Sequence, residues 1–206
     1  MPRSYTMGAR AATTAATRDQ VLAAIFQLAA TRPIARITLD DVAALAGVSV
    51  QTVLRHFGSR DGLLDAAVEH SKREVLAERR PTGPAPAEAL AALVRHYERM
   101  GDLVLRLLAQ EDDERVRRIT DLGKHLHRQW VAESFGPRLP PDPATREALV
   151  DLLVVATDVY AWKLLRRDRA LSRPATEARL LALVHAILAQ ADAAPAPATA
   201  PTSTSP

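Results

Sequence analysis

The stretch ITLDDVAALAGVSVQTVLRHFGSRDGLLDAAV, Ile37 to Val68, decides how this chain is built. Thr38 opens a helix that carries Leu39, Val42 and Leu45 and stops at Gly47. Ser49 opens a second short helix with Val53 and Phe57 inside it, and Gly58 ends that one. Ser59 with Asp61 starts a third, whose Leu63, Leu64, Ala67 and Val68 recur at helical spacing up to about Arg79. Three positions are constrained together. Ala43 must be small where the second helix crosses, Gly47 supplies a left-handed turn residue, and Val53 anchors the following helix on the core. The bland alternative is a helical hairpin with an incidental glycine turn. Small residue, glycine and anchor at this spacing, between two capped helices, instead predict a helix-turn-helix.

Upstream, Thr17 with Gln20 forms a capping-box pattern, and Val21, Leu22, Ile25, Leu28 and Ala29 give one buried stripe that Pro33 closes. Residues 1–16 read as a flexible arm, 17–62 as the helix-turn-helix domain, 63–192 as a larger helical body and 193–206 as a disordered low-complexity tail. In the body the pattern predicts helices over about 87–110, 113–121, 122–135, 143–169 and 173–192, with proline-rich breaks at Arg79–Pro86 and Gly136–Pro143. The last two helices, with Leu149, Leu152, Val155, Leu180, Val184 and Leu188 among their apolar residues, carry more apolar surface than one small body covers. Two copies packing as a four-helix bundle would bury it. The fold class expected is all-α.

Composition excludes several classes. Cysteine is absent, which removes disulfides and thiolate metal sites and suits a reducing cytosol, so the expected location is cytoplasmic. The first residues lack an apolar signal segment, and the longest apolar run, Leu149 to Leu165, is broken by Asp151 and Asp158, so no membrane partner is expected. His125 and His127 point to different faces of a helix, and Glu111 to Glu114 lacks the spacing of a calcium loop, so no metal is expected. No nucleophile elbow or phosphate loop is present; the reading has no catalytic residue and no cofactor. Net charge is only +3, but residues 1–60 hold seven arginines against three aspartates, while the other 146 residues hold twenty basic side chains against twenty-one acidic. The positive excess lies beside the helix-turn-helix, where a phosphate backbone could use it.

Ile37 to Val68, with its Ala-Gly-Val-Ser turn, a helix ending in His-Phe and a Leu-Leu helix after a basic residue, resembles the TetR family of transcriptional regulators. The resemblance implies a homodimer on a palindromic DNA operator, repression, and release by a small effector held in the body. The DNA contacts it implies are Thr38, Ser49, Val50, Gln51, Thr52, Leu54, Arg55, His56 and Arg60. Their chemistry fits: Gln51 can pair with adenine, Arg55 with guanine, and Val50 can touch a thymine methyl, while Thr38, Thr52, His56 and Arg60 grip phosphates. Leu54 stands where the family has a tyrosine, which removes a phosphate-binding hydroxyl. A helical interaction protein with a silent head is the competing class, and Leu54 is the one feature favouring it. For the effector the candidates are His96, Tyr97, Met100, Leu103, His127, Trp130, Asp158 and Trp162. With few charges among them, a mostly apolar or aromatic ligand is expected.

Overall fold

The computed structural model describes the backbone of residues 3–193 and the side chains of residues 12–190. Every regular element among them is helical: α1 Arg3–Ala29, α2 Leu39–Ala46, α3 Val50–Phe57, α4 Arg60–Glu78, α5 Pro86–Leu108, α6 Glu114–Phe135, α7 Pro143–Thr157, α8 Val159–Lys163 and α9 Arg173–Ala193. No helix among the described residues is long and apolar enough to cross a membrane.

Two compact units emerge. The first runs to Arg80 and also takes in Arg95–Lys124; the second holds Pro81–Val94 and the chain from His125 onward. In the first, α1 packs on α2 and α4, and α3 packs on both α2 and α4. Val21, Leu22, Ile25, Val42, Val53 and Leu63 fill its centre. The core does not close within residues 17–62, as the sequence suggested. Leu63, Leu64, Ala67 and Val116 complete it, with Leu103, Leu107 and Ile119 packed against it. Eight-residue helices such as α2 and α3 present too little apolar surface to close a core alone. Polar ties reinforce the join: the Ile34 amide donates to Gln110 Oε1 at 3.2 Å, and Arg115 Nη2 reaches Asp61 Oδ1 at 3.1 Å and Asp65 Oδ1 at 3.2 Å.

Three boundaries depart from expectation. Helix α1 begins at Arg3, so residues 3–16, expected as a flexible arm, are helical. The run is rich in alanine, the best helix former, and Thr17 caps nothing, because its hydroxyl donates to the Thr13 carbonyl inside the helix. Helix α6 is continuous where two helices were expected. Its start is fixed by Asp113, which accepts from the Arg115 and Val116 amides at 2.9 and 3.1 Å, and Gly123 is accommodated without a break. The long helix expected to run to 169 ends at Thr157, where Asp158 takes an extended backbone and caps α8. Of the tail expected over 193–206, residues 194–206 lie outside the described residues.

In the second unit α7 and α9 pack together. Leu149, Val150, Leu153, Leu180, Val184 and Leu188 are buried there, so Val184 serves the unit's own core. The large apolar residues left exposed on these two helices are Leu152 and Val155 of α7 and Leu183 of α9, with Tyr160 and Leu164 exposed between them in the chain.

Candidate nucleic-acid interface and effector residues

Each helix of the helix-turn-helix is set by a hydroxyl at its start. Thr38 Oγ1 accepts from the Asp41 amide at 3.1 Å and donates to Asp41 Oδ2 at 2.8 Å, and the same carboxylate takes the Thr38 amide at 2.9 Å. These bonds, the backbone one foremost, hold the Asp41 carboxyl below the usual range, with Arg32 at 3.1 Å assisting. Gly47 follows at φ 68°, a left-handed residue that turns the chain without a side-chain penalty. Ser49 Oγ then accepts from the Thr52 amide at 3.1 Å and shares a hydrogen bond with Thr52 Oγ1 at 3.0 Å. The two hydroxyls expected on phosphates, those of Thr38 and Thr52, thus already have internal partners. The Thr38 and Thr52 amides are engaged as well, with Asp41 Oδ2 and Ser49 Oγ.

On α3 the faces separate cleanly. Val53 is fully buried and Val50 packs half-buried against the same core. Gln51 and Arg55, four residues apart and so on one face, are exposed and form no hydrogen bond or ion pair with the described residues. Leu54 is half-buried at the margin of that face. His56 lies with its ring 6.1 Å from that of Phe57, and the Arg18 guanidinium sits 4.7 Å over the Phe57 ring. Arg60 is differently employed from the phosphate contact expected of it. Its Nε donates to the Ile37 carbonyl at 2.8 Å and its Nη2 to the Ile34 carbonyl at 2.6 Å, clamping the start of α4 to the α1–α2 connection. Arg18 and the clamp escaped the sequence because both join positions more than twenty residues apart, where no local pattern speaks.

The effector candidates fall into two sets. In the first unit His96 and Tyr97 are buried with ring centroids 5.8 Å apart, and the Arg79 guanidinium lies 5.4 Å over the Tyr97 ring. His96 Nδ1 is 2.8 Å from Glu78 Oε2, and Glu78 also pairs with Arg99. Met100 is half-buried, and Leu103 packs on the core of the head. In the second unit His127 and Trp130 stack at 5.7 Å, and Trp130 meets Phe135 edge-on at 5.8 Å. Thr157 gives its proton to the Leu153 carbonyl at 2.7 Å, so its oxygen accepts from His127 Nε2 at 3.1 Å. Asp158 accepts from the Tyr160 amide at 2.8 Å, a capping duty, and Trp162 is fully buried beneath Arg167 at 4.5 Å. A surface groove of about 300 Å³ in the first unit, between Leu64, Val68 and Glu69 of α4 and Arg115, Arg118 and Ile119 of α6, includes none of these eight residues. Among the described residues no group of three or more His, Asp and Glu is placed to hold a metal ion.

Burial pushes the His96 imidazole down from 6.5 to about 4, with the Arg79 charge acting the same way and Glu78 opposing. Below 6.5 the unfolded chain takes up a proton that the folded chain refuses, so stability falls as pH falls towards 4. From about pH 7.5 to about pH 5 this site removes about 2 kcal/mol. Urea midpoints across that interval should drop in the native chain and drop less in His96→Gln. An equal drop in both would assign the loss elsewhere.

Residues 21–67 match the model for the bacterial regulatory proteins of the tetR family. Over 46 residues the chain is 54% identical to the HTH-type transcriptional regulator AlkX of Mycobacterium tuberculosis, a segment that spans 22% of this chain and 22% of that relative. The fold is similar to that of a transcriptional regulator from Rhodococcus sp. Rha1, with a TM-score of 0.63 at 21% identity over 86% of this chain and 99% of the other. It is also similar to a tetR-family regulator from Streptomyces coelicolor, with a TM-score of 0.65 at 18% identity over 86% of this chain and 82% of that one.

Proposed function

We infer, from a head that belongs to the tetR family of bacterial regulatory proteins, that this chain is a cytoplasmic repressor that binds a palindromic operator as a homodimer and is released by a small apolar effector. The family comprises transcriptional regulators rather than enzymes, and its members bind DNA and form dimers. One observation carries the reading furthest: Gln51 and Arg55 stand exposed and unengaged on one face of α3 while the hydroxyls around them are committed to caps. Polar side chains kept out of every internal bond on a rigid helix suit base edges in a major groove. Two such heads related by a dyad would read half-sites about 10 base pairs, or a small multiple, apart.

The test is a gel shift on the DNA upstream of the chain's own and adjacent genes, followed by two variants. Arg55→Ala should cost about 1–3 kcal/mol of operator affinity and relax preference at one position of each half-site. Arg60→Ala acts otherwise. It removes a backbone clamp, so it should lower the thermal midpoint of the head and weaken all DNA sequences alike. Identical behaviour of the two variants across operator mutants would remove the base-reading role from Arg55.

Effector release follows from linkage. A ligand that frees the operator must bind the DNA-free conformation more tightly, and the operator must weaken the ligand by the same factor. The candidate contacts are His96, Tyr97, Met100 and Leu103 in the first unit and His127, Trp130, Asp158 and Trp162 in the second. Leu103 and Asp158 are the weakest of them, being employed in core packing and in capping.

A further inference from the structure

Resting on the DNA reading above, we propose that Arg18 is a backbone contact of the head: its guanidinium, seated on the flank of α3, grips an operator phosphate beside the reading helix. Arg18 stands on α1, before the segment 21–67 that matches the family. Its guanidinium carbon lies 4.7 Å over the ring of Phe57, the last residue of α3. The attraction of a cation to a ring face is electrostatic and uses up no hydrogen-bond acceptor. The N–H groups of Arg18 form no hydrogen bond or ion pair with the described residues, and the side chain is half-buried. It is therefore a held cation with its donors unspent.

Charge is wanted at that flank. A helix that fills a major groove brings its sides against the two phosphate walls, and cations there supply much of the affinity. The groups expected to meet those phosphates are mostly occupied. Arg60 holds the Ile34 and Ile37 carbonyls, and the Thr38 and Thr52 hydroxyls have internal partners. Arg32 is paired with Asp41, and Leu54 has no donor to give. Arg55 belongs to the reading face, and no ring holds Arg36 in the connection before α2. Phe57 follows Leu54 by three residues, which puts Arg18 on the flank where Leu54 borders the reading face. A guanidinium already restrained there loses less freedom on meeting a phosphate than a loose surface arginine does, and its fork suits that oxygen pair.

The test uses the full chain on the operator found by the gel shift above and on an unrelated duplex of equal length, each at several salt concentrations. Arg18→Gln should weaken both duplexes alike, by about tenfold. It should also flatten the slope of log affinity against log salt by about 1 for each head, and Arg18→Lys should restore that slope. Ethylation of one phosphate in each half-site should block the native chain and cease to matter in Arg18→Gln. A weakened variant with the native slope and the native ethylation pattern would make Arg18 a support for Phe57 alone and overturn the proposal. A loss confined to the operator would overturn it too, by making Arg18 a base reader. The native chain labelled with nitrogen-15 arginine gives a second measurement, independent of how Arg18→Gln folds. The Arg18 Nε–H signal, assigned by its absence from Arg18→Lys, should move with either duplex, and an unmoved signal overturns the proposal. If the native chain binds DNA and Arg18→Gln keeps its affinity and slope, the DNA reading stands and this contact falls. If the native chain binds no DNA, both fall together.

Discussion

A chain carrying Val155→Glu is expected to behave as a folded monomer and to lose operator affinity by a factor on the order of 10² or more. The expectation comes from how α7 and α9 divide their apolar residues. Leu149, Leu153, Leu180, Val184 and Leu188 face inward and seal the unit. Leu152, Val155 and Leu183 remain 45%, 70% and 49% exposed, on the two helices whose inner faces already satisfy one another. In the proposed dimer these outward residues meet their symmetry mates, so each substitution enters the interface twice. A carboxylate buried there without a partner is costly enough to split a pair of small helices, while at the surface of a monomer it costs almost nothing. Loss of the pair removes the second head, and with it the effective concentration that a tethered head has for its half-site. Sedimentation and a gel shift on the palindrome are read together. Val184→Glu is the wrong variant for the purpose: Val184 is fully buried within its unit, so a charge there should unfold the chain rather than divide it. A Val155→Glu protein that remains dimeric, or a monomer that keeps native operator affinity, would remove this face from the assembly.

The parts legible in the sequence were those written locally. The caps at Thr38, Ser49 and Ser59, the left-handed Gly47 and the buried anchors Val42 and Val53 all follow from residues a few positions apart. So does the outward pair Gln51 and Arg55, since four-residue spacing fixes a shared face. What the sequence obscured depends on contacts between distant segments. Arg60 is a basic residue after His-Phe in any reading of the string, and only the fold brings the Ile34 and Ile37 carbonyls to its guanidinium. Val184 has the same helical period whether it faces α7 or a second chain, so periodicity alone placed it in the interface. Asp158 looked like a polar group aimed at a ligand, and its carboxylate is instead spent on the first turn of α8. Thr17 and the alanine-rich start of α1 show the converse error. Local signals for a break or a cap were present, and the helical propensity of their neighbours outweighed them.

Gly62→Ala is expected to destabilise the first unit by about 3 kcal/mol or more, against a propensity argument of opposite sign. Gly62 is the third residue of α4, a helical position where alanine ordinarily gains about 1 kcal/mol over glycine. Here a methyl group would overlap the Phe57 carbonyl oxygen and stand 3.3 Å from its carbon. Both obstructing atoms are backbone. They belong to the last turn of α3, which Ser59 and Gly58 connect to α4 in two residues, and the Ser59 hydroxyl already holds the Gly62 amide at 3.0 Å. No rotamer change relieves the overlap. Either α4 lifts away from α3 or the Phe57 peptide turns, and Phe57 is the residue that Arg18 covers and that closes the reading helix. The clash therefore reaches function as well as stability, because α3 must lie at a fixed angle to enter a groove. Gly83 supplies the control. A methyl there meets only the carboxylate end of Glu88, a flexible side chain that can swing aside, so Gly83→Ala should cost little. Urea midpoints with amide exchange across α3 and α4 should show the Gly62 variant opening there first, with operator binding lost in parallel. A Gly62→Ala protein at least as stable as the native chain would mean that α3 and α4 do not approach as closely as this.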